Sequence, residues 1–226
     1  MAKIQFGSML GSDARGKFGG GVFSKNRNGA YVRRKVTPSN PQTAAQLQAR
    51  SRLTAQSQAW RGLSQADRNS FDAAAPQFAK TDVFGNSYAP TGKNLFTLLN
   101  INLALAGGSP LAAAPLPREV EQPVAGTLTV AEGGAKTIAY TGTTDASKVL
   151  VFACAPQSPG KRYVKNQMRL IASFNGDTAS PLNIASAYVS KFGEPPAGTF
   201  VAVELQAVNL TTGQASQRSK ATTLVS

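Results

Sequence analysis

Between Lys17 and Lys35 the chain reads KFGGGVFSKNRNGAYVRRK, with Lys17, Lys25, Arg27, Arg33, Arg34 and Lys35 and no acid among them. Fixed cations at that density attract anions, whether phosphates, carboxylates or a charged surface. Phe18, Phe23 and Tyr31 are interleaved with them. Aromatic rings so placed can stack on bases or anchor in an apolar surface of a partner. Other chemistry-bearing residues are sparse. The chain has no histidine, which removes the commonest general base and metal ligand. Its one cysteine, Cys154, follows the apolar run Val149-Leu150-Val151-Phe152-Ala153. With no imidazole to activate it, the thiol reads as a core residue rather than a nucleophile. Glu119 and Glu121 lie in a proline-rich stretch, and Asp67 and Asp72 on an expected helix, so no carboxylate pair is placed for acid/base work. Gly19-Gly20-Gly21 lacks the Gly-Lys-Ser/Thr ending and the following helix of a phosphate loop. The expectation is a non-enzymatic protein with no cofactor and no metal.

The charge is uneven. Residues 1–61 hold eleven Lys or Arg against a single acid, Asp13, a net +10 of the chain's +13. An asymmetry of that size points to an anionic partner for the N-terminal third. A solvated basic face is the plain alternative. Apolar residues make up 42% of the 226, enough for a core. No apolar run reaches 18 residues, and the N-terminus has no continuous apolar stretch of signal type, so a soluble product made in a cytoplasm is expected.

The elements that must position the basic stretch follow from its punctuation. Asn28-Gly29 is a hairpin signal, because a type I′ turn needs positive φ at both central residues. Strands are expected around Val22-Phe23 and Ala30-Tyr31-Val32. Tyr31, Arg33 and Lys35 then share one face, and Val32, Arg34 and Val36 the other. A hairpin with two wet faces is marginal in water, so it calls for a partner. Gly19-Gly20-Gly21 reads as a bulge or a close backbone approach. Residues 1–16 read as an extended arm. Asn40 as N-cap and Pro41 as first residue open a helix to Arg61, with Ala45, Ala49, Leu53 and Trp60 along one face.

Ser64 with Asp67 forms a capping box for a second helix, Gln65 to Ala75, stopped by Pro76, in which Arg68 and Asp72 can pair. Residues 76–93 read as a loop anchored by Phe78, Phe84 and Tyr88. Thr91 caps a third, strongly apolar helix, Gly92 to Ala106. Residues 107–123, with four prolines, read as a linker and domain boundary. Beyond Val124 short alternating runs predict seven strands: 126–131, 136–141, 148–155, 163–174, 182–189, 199–209 and 216–225. That pattern indicates an immunoglobulin or fibronectin III type sandwich. The expected class is α+β and multi-domain. It comprises a basic arm and β-hairpin at 1–41, a helical module at 42–106, a linker at 107–123 and an all-β sandwich at 124–226.

Gly16-Lys17 with the glycine run, Arg27-Asn28-Gly29-Ala30-Tyr31-Val32-Arg33, Asn40-Pro41-Gln42-Thr43 with Gln46, and Ala59-Trp60-Arg61 before Leu63-Ser64 together resemble a module of virion structural proteins of tailed bacteriophages, including those infecting Bacteroidetes. The resemblance covers residues 15–100. It implies a component of a phage particle, located in the virion after synthesis in the host bacterial cytoplasm. A head-associated auxiliary or decoration (cement) protein is the first choice, and a neck or tail protein the second. The implied partners are other virion proteins, the major capsid protein or neck and tail subunits, in an oligomeric assembly without a membrane. A DNA-binding or packaging-associated role for the basic arm is the rival class.

Overall fold

A computed structural model of the chain describes residues 2–3, 15–26, 29–81, 87–142, 146–161 and 163–226. Among them the fold is mixed α+β and rich in strands, with four α-helices and four sheets, none closed. The chain divides into two compact units, residues 1–47 and 48–226.

The first unit is an antiparallel sheet of β1 (Ala2–Lys3), β2 (Gly16–Phe18), β3 (Gly21–Asn26) and β4 (Gly29–Arg34), in the order β1-β4-β3-β2. The expected arm at 1–16 thus supplies β1 and the first residue of β2, while residues 4–14 lie outside the described residues. Gly19-Gly20 is a turn between β2 and β3 rather than a bulge, because Gly19 takes φ +52°, a conformation that suits glycine. Asn26 pairs with Gly29, so Gly29 belongs to the strand ladder. Arg27 and Asn28, between them, lie outside the described residues.

Helix α1 (Ala44–Gly62) begins three residues later than Asn40-Pro41 implies. The amide of Gln46 donates to Thr43 Oγ1 at 3.4 Å, and the Thr43 amide donates to Gln46 Oε1 at 3.3 Å. This reciprocal capping box fixes the start and displaces the simpler Asn-Pro signal. The division between the units falls inside α1. Ala45, Ala49 and Leu53 are exposed along it, and of the expected stripe only Trp60 packs.

In the second unit, α2 (Gln65–Ala74) is capped as expected: the Asp67 amide donates to Ser64 Oγ at 3.1 Å. It runs into a 3₁₀ turn, Ala75–Phe78. Arg68 does not pair with Asp72. Its guanidinium donates to the carbonyls of Trp60 and Arg61 at 3.2 and 2.6 Å, where α1 leaves unsatisfied acceptors. Asp72 instead accepts from the Gly92 amide at 3.1 Å, at the N-terminus of α3 (Gly92–Ala106). β5 (Lys80–Thr81) and β6 (Ser87–Tyr88) form a small ribbon in the expected loop. Phe78 packs on the helical core, Tyr88 is exposed, and Phe84 lies outside the described residues. Phe71, Leu95, Phe96 and Leu99 make that core. Trp60 and Phe71 each meet the ring of Phe96 at 5.3 Å.

β7 (Val124–Val130), β8 (Lys136–Thr141) and β11 (Leu182–Asn183) form one sheet, order β11-β8-β7. β9 (Ser147–Ala153), β10 (Arg169–Asn175), β12 (Phe200–Asn209) and β13 (Ser219–Leu224) form another, order β10-β9-β12-β13. The two share a core of Leu128, Val130 and Ile138 with Val149, Val151, Val201, Val203 and Leu205. Two expected strands differ. The run 163–174 gives a 3₁₀ turn, Lys165–Gln167, before β10. The run 182–189 gives two strand residues and then α4 (Ala185–Phe192). Ile184, Tyr188 and Phe192 recur at helical spacing, and Ile184 and Tyr188 enter the core with Phe192 packed beside them.

The expected boundary at 107–123 does not separate two units. The four-stranded sheet is covered on its other face too, where Leu150, Phe152, Cys154, Phe200 and Ala202 pack with Ala106 of α3, Val164 and Met168. The proline-rich segment is tied down by side chains from both parts. The Leu111 amide donates to Asn100 Oδ1 at 2.7 Å, that of Ala114 to Ser70 Oγ at 3.1 Å, and that of Arg118 to Gln214 Oε1 at 2.7 Å.

Candidate interaction surface

Register alone sorts the side chains of the N-terminal sheet. Lys17 lies opposite Val22, and Val22 opposite Arg33, so these three stand on one face. Ser24 lies opposite Tyr31 on that same face. Phe18 lies opposite Gly21, and Gly21 opposite Arg34. Phe23 lies opposite Val32, and Lys25 opposite Ala30. These residues occupy the second face. The split expected around the turn, Arg33 with Tyr31 against Arg34 with Val32, therefore appears in the pairing. Phe18 is 79% exposed, and Phe23 and Tyr31 are half-buried. Of the expected site residues, Arg27 and Asn28 lie outside the described residues.

Among the described residues of 1–47 none is buried, and every cation of the stretch whose burial is described is exposed. A sheet needs a covered apolar face to be stable in its own right, and this one has two faces of mixed basic and apolar character. Lys17, Arg33 and Lys35 surround a cleft of about 260 Å3 together with Val22, Val36 and Pro38. Lys35 is held there by its amide, which donates to the Gly20 carbonyl at 2.8 Å.

The remaining candidates for chemistry resolve differently. Cys154 is fully buried, and its thiol sulfur accepts from the Ala202 amide at 3.3 Å. Burial pushes the thiol pKa up, away from the reactive thiolate. Tyr188 donates to the Cys154 carbonyl at 3.0 Å, and burial raises its phenol pKa as well. Glu119 and Glu121 line an open polar groove of about 760 Å3 with Arg118, Gln122, Gln214 and Gln217. Among the described residues no group of three or more His, Cys, Asp or Glu is placed to hold a metal, and no helix is long and apolar enough to cross a membrane.

One cluster escaped the sequence reading. Arg218 lies 3.8 Å above the ring of Phe152, with Glu204 Oε2 and Gln206 Oε1 each at 3.2 Å. Arg218 precedes β13, and Glu204 and Gln206 are alternate residues on the neighbouring β12. Glu204 and Gln206 alternate with apolar neighbours, which is the only signal the sequence holds for it. The cluster is self-contained, with the cation already matched by a carboxylate and an aromatic face.

No protein-family model, curated protein or solved structure matches the chain.

Proposed function

We propose that the chain is a non-enzymatic structural component of a tailed-bacteriophage particle, anchored through its basic N-terminal sheet. The observation that carries this reading is the absence of any buried residue among those described in 1–47, in a segment that nonetheless forms a four-stranded sheet and bears most of the charge. Such a sheet gains its stability from a surface it lies against. The net charge of residues 1–61 makes that surface anionic. The resemblance of residues 15–100 to phage virion proteins supplies the setting, and a head-associated decoration role is the form it favours.

A three-stranded sheet ordered β11-β8-β7 facing a four-stranded one ordered β10-β9-β12-β13 supports a fibronectin III-like arrangement for residues 124–226. The coverage of its outer face by α3 and the 154–168 segment makes the helices part of that body. In this reading the body is the exposed portion of the subunit and the basic sheet its attachment.

Cryo-EM of a particle whose genome encodes the chain tests the proposal. The expected result is regularly repeated density for residues 48–226 on the particle, with the basic sheet against a neighbouring subunit. Absence of the chain from purified particles sinks the reading. Density of the sheet on packaged DNA, inside the shell, replaces it with the DNA-binding alternative.

A further inference from the structure

The cleft between Lys17, Arg33 and Lys35 is more specific than a basic surface. The register puts Lys17 and Arg33 on one face with Val22 between them, and Lys35, whose backbone N–H donates to the Gly20 carbonyl, lines the same cleft. Val22, Val36 and Pro38 wall the cleft. Among the described residues no carboxylate pairs with any of the three cations. Three like charges converging on one small cavity repel one another, and an anion placed there relieves all three. A guanidinium can also bind a carboxylate in bidentate fashion.

Shape decides which anion. Single-stranded nucleic acid is held by cations spread along a groove that tracks its backbone, with bases stacked on aromatic rings. Here the three cations line one small cleft, with Val22, Val36, Thr37 and Pro38 as its remaining walls. A short aliphatic stem ending in a carboxylate, as in Asp or Glu, fits both features. Beside the cleft, β2 is the last strand of its sheet among the described residues. An extended segment laid along such an edge turns every second side chain to the face that carries Lys17 and Arg33.

We infer that this cleft receives the carboxylates of an extended acidic segment of a partner protein, lying along the edge of β2. The inference rests on the anchoring reading above and names the partner chemistry for it. By this assignment Lys17, Arg33 and Lys35 contact the ligand, and Arg34, on the opposite face, does not.

Titration calorimetry on the full chain with poly-L-glutamate as probe, and oligo-dT of matched length for comparison, tests it. Poly-L-glutamate is expected to bind more tightly. Arg33→Ala and Lys35→Ala should each weaken it about tenfold, the scale of one charge-assisted hydrogen bond. Arg34→Ala should change it less than about twofold, since the attraction of an exposed charge on the far face is largely screened by salt. Arg33→Lys should fall between wild type and Arg33→Ala, keeping the charge and losing the bidentate contact, and circular dichroism should match wild type for each variant. Equal losses for Arg34→Ala and Arg33→Ala overturn the cleft in favour of diffuse charge. Tighter oligo-dT binding overturns it in favour of nucleic acid. If the cleft variants lose poly-L-glutamate yet enter particles at normal copy number, the cleft stands and the anchoring reading falls. If Arg33→Ala leaves poly-L-glutamate affinity unchanged but blocks entry into particles, the cleft falls and anchoring stands.

Discussion

The ammonium of Lys136 donates to Glu194 at 2.5 Å, joining the start of β8 to the loop after α4, and the lysine side chain is only 2% exposed. Its other hydrogen bonds go to the carbonyls of Ala131 and Gly134, each at 3.2 Å. Three acceptors match the three donors of an ammonium, which is what makes a buried lysine tolerable. Glu194 also accepts from the Gly133 amide at 2.7 Å.

A pH dependence follows from this pair. The hydrogen bond from Lys136 first, and that from Gly133 second, hold the Glu194 carboxyl below the usual value of 4.5. A carboxylate whose folded pKa is depressed adds stability above its unfolded pKa and loses it as pH falls through the folded value. Glu194→Gln should therefore melt at lower temperature than wild type at pH 7. The two curves should approach each other below about pH 4.5, as the wild-type carboxylate takes up its proton. Melting temperatures from pH 7 to pH 3 check this, and a gap that widens on acidification contradicts it.

Cys154 should behave as a core atom and not as a reactive thiol. It is fully buried, accepts from the Ala202 amide, and has its pKa raised by burial. Native protein should resist thiol-specific reagents for as long as it stays folded, and label fully in urea. Cys154→Ala should cost about 1–2 kcal/mol, as a small core truncation does. Labelling of native protein at the rate of an unfolded peptide would show the site to be open.

Much of the local structure was legible in the residues, and less of the global packing. Ser64 and Thr91 signalled their helices because a cap is a contact within four residues. The start of α1 is hard to place from sequence because two cap signals compete, and the reciprocal Thr43/Gln46 box is the one that meets the helix start. α4 was hidden inside an apolar run whose spacing also fits a strand. The boundary at 107–123 misled most. Prolines there mark an extended segment, but whether an extended segment links or packs depends on distant groups such as Asn100, Ser70 and Gln214. A clue to that packing was present. Val149 to Cys154 is apolar at every position, and alternation is lost when both faces of a strand are covered. The basic residues and the split of Arg33 from Arg34 follow from strand alternation in the sequence, but the placement of Lys17 on the face of Arg33 needed the strand register.

Close backbone approach between α3 and the β12–β13 turn makes Gly213 a sensitive position. It takes φ +69°, and a Cβ there would lie 2.6 Å from the Leu99 carbonyl oxygen. Nearby, Asn102 Nδ2 donates to the Gly213 carbonyl at 2.9 Å. Gly213→Ala should destabilise by about 2–4 kcal/mol, combining left-handed backbone strain with overpacking. Gly92→Ala, whose Cβ would meet the Asp72 amide at 2.7 Å, should cost about 1–3 kcal/mol at the joint between α2 and α3. Urea unfolding should remain a single transition in both variants, because helices and sheets share cores in residues 48–226. Separate transitions for helices and sheets would show the shared core to be weak.

Removing residues 1–41 separates the attachment from the body. The deletion takes no buried residue among those described and leaves the Thr43/Gln46 cap of α1 in place. The melting temperature should change by less than about 2 °C, as for changes that touch no core. The same deletion removes a net +7 of the chain's +13. Retention on a cation exchanger should fall sharply, and binding to poly-L-glutamate should be lost, while the circular dichroism of the sheets and helices in 48–226 persists. A large fall in melting temperature would mean that the basic sheet helps to hold the body together, and attachment would then not be its separate role.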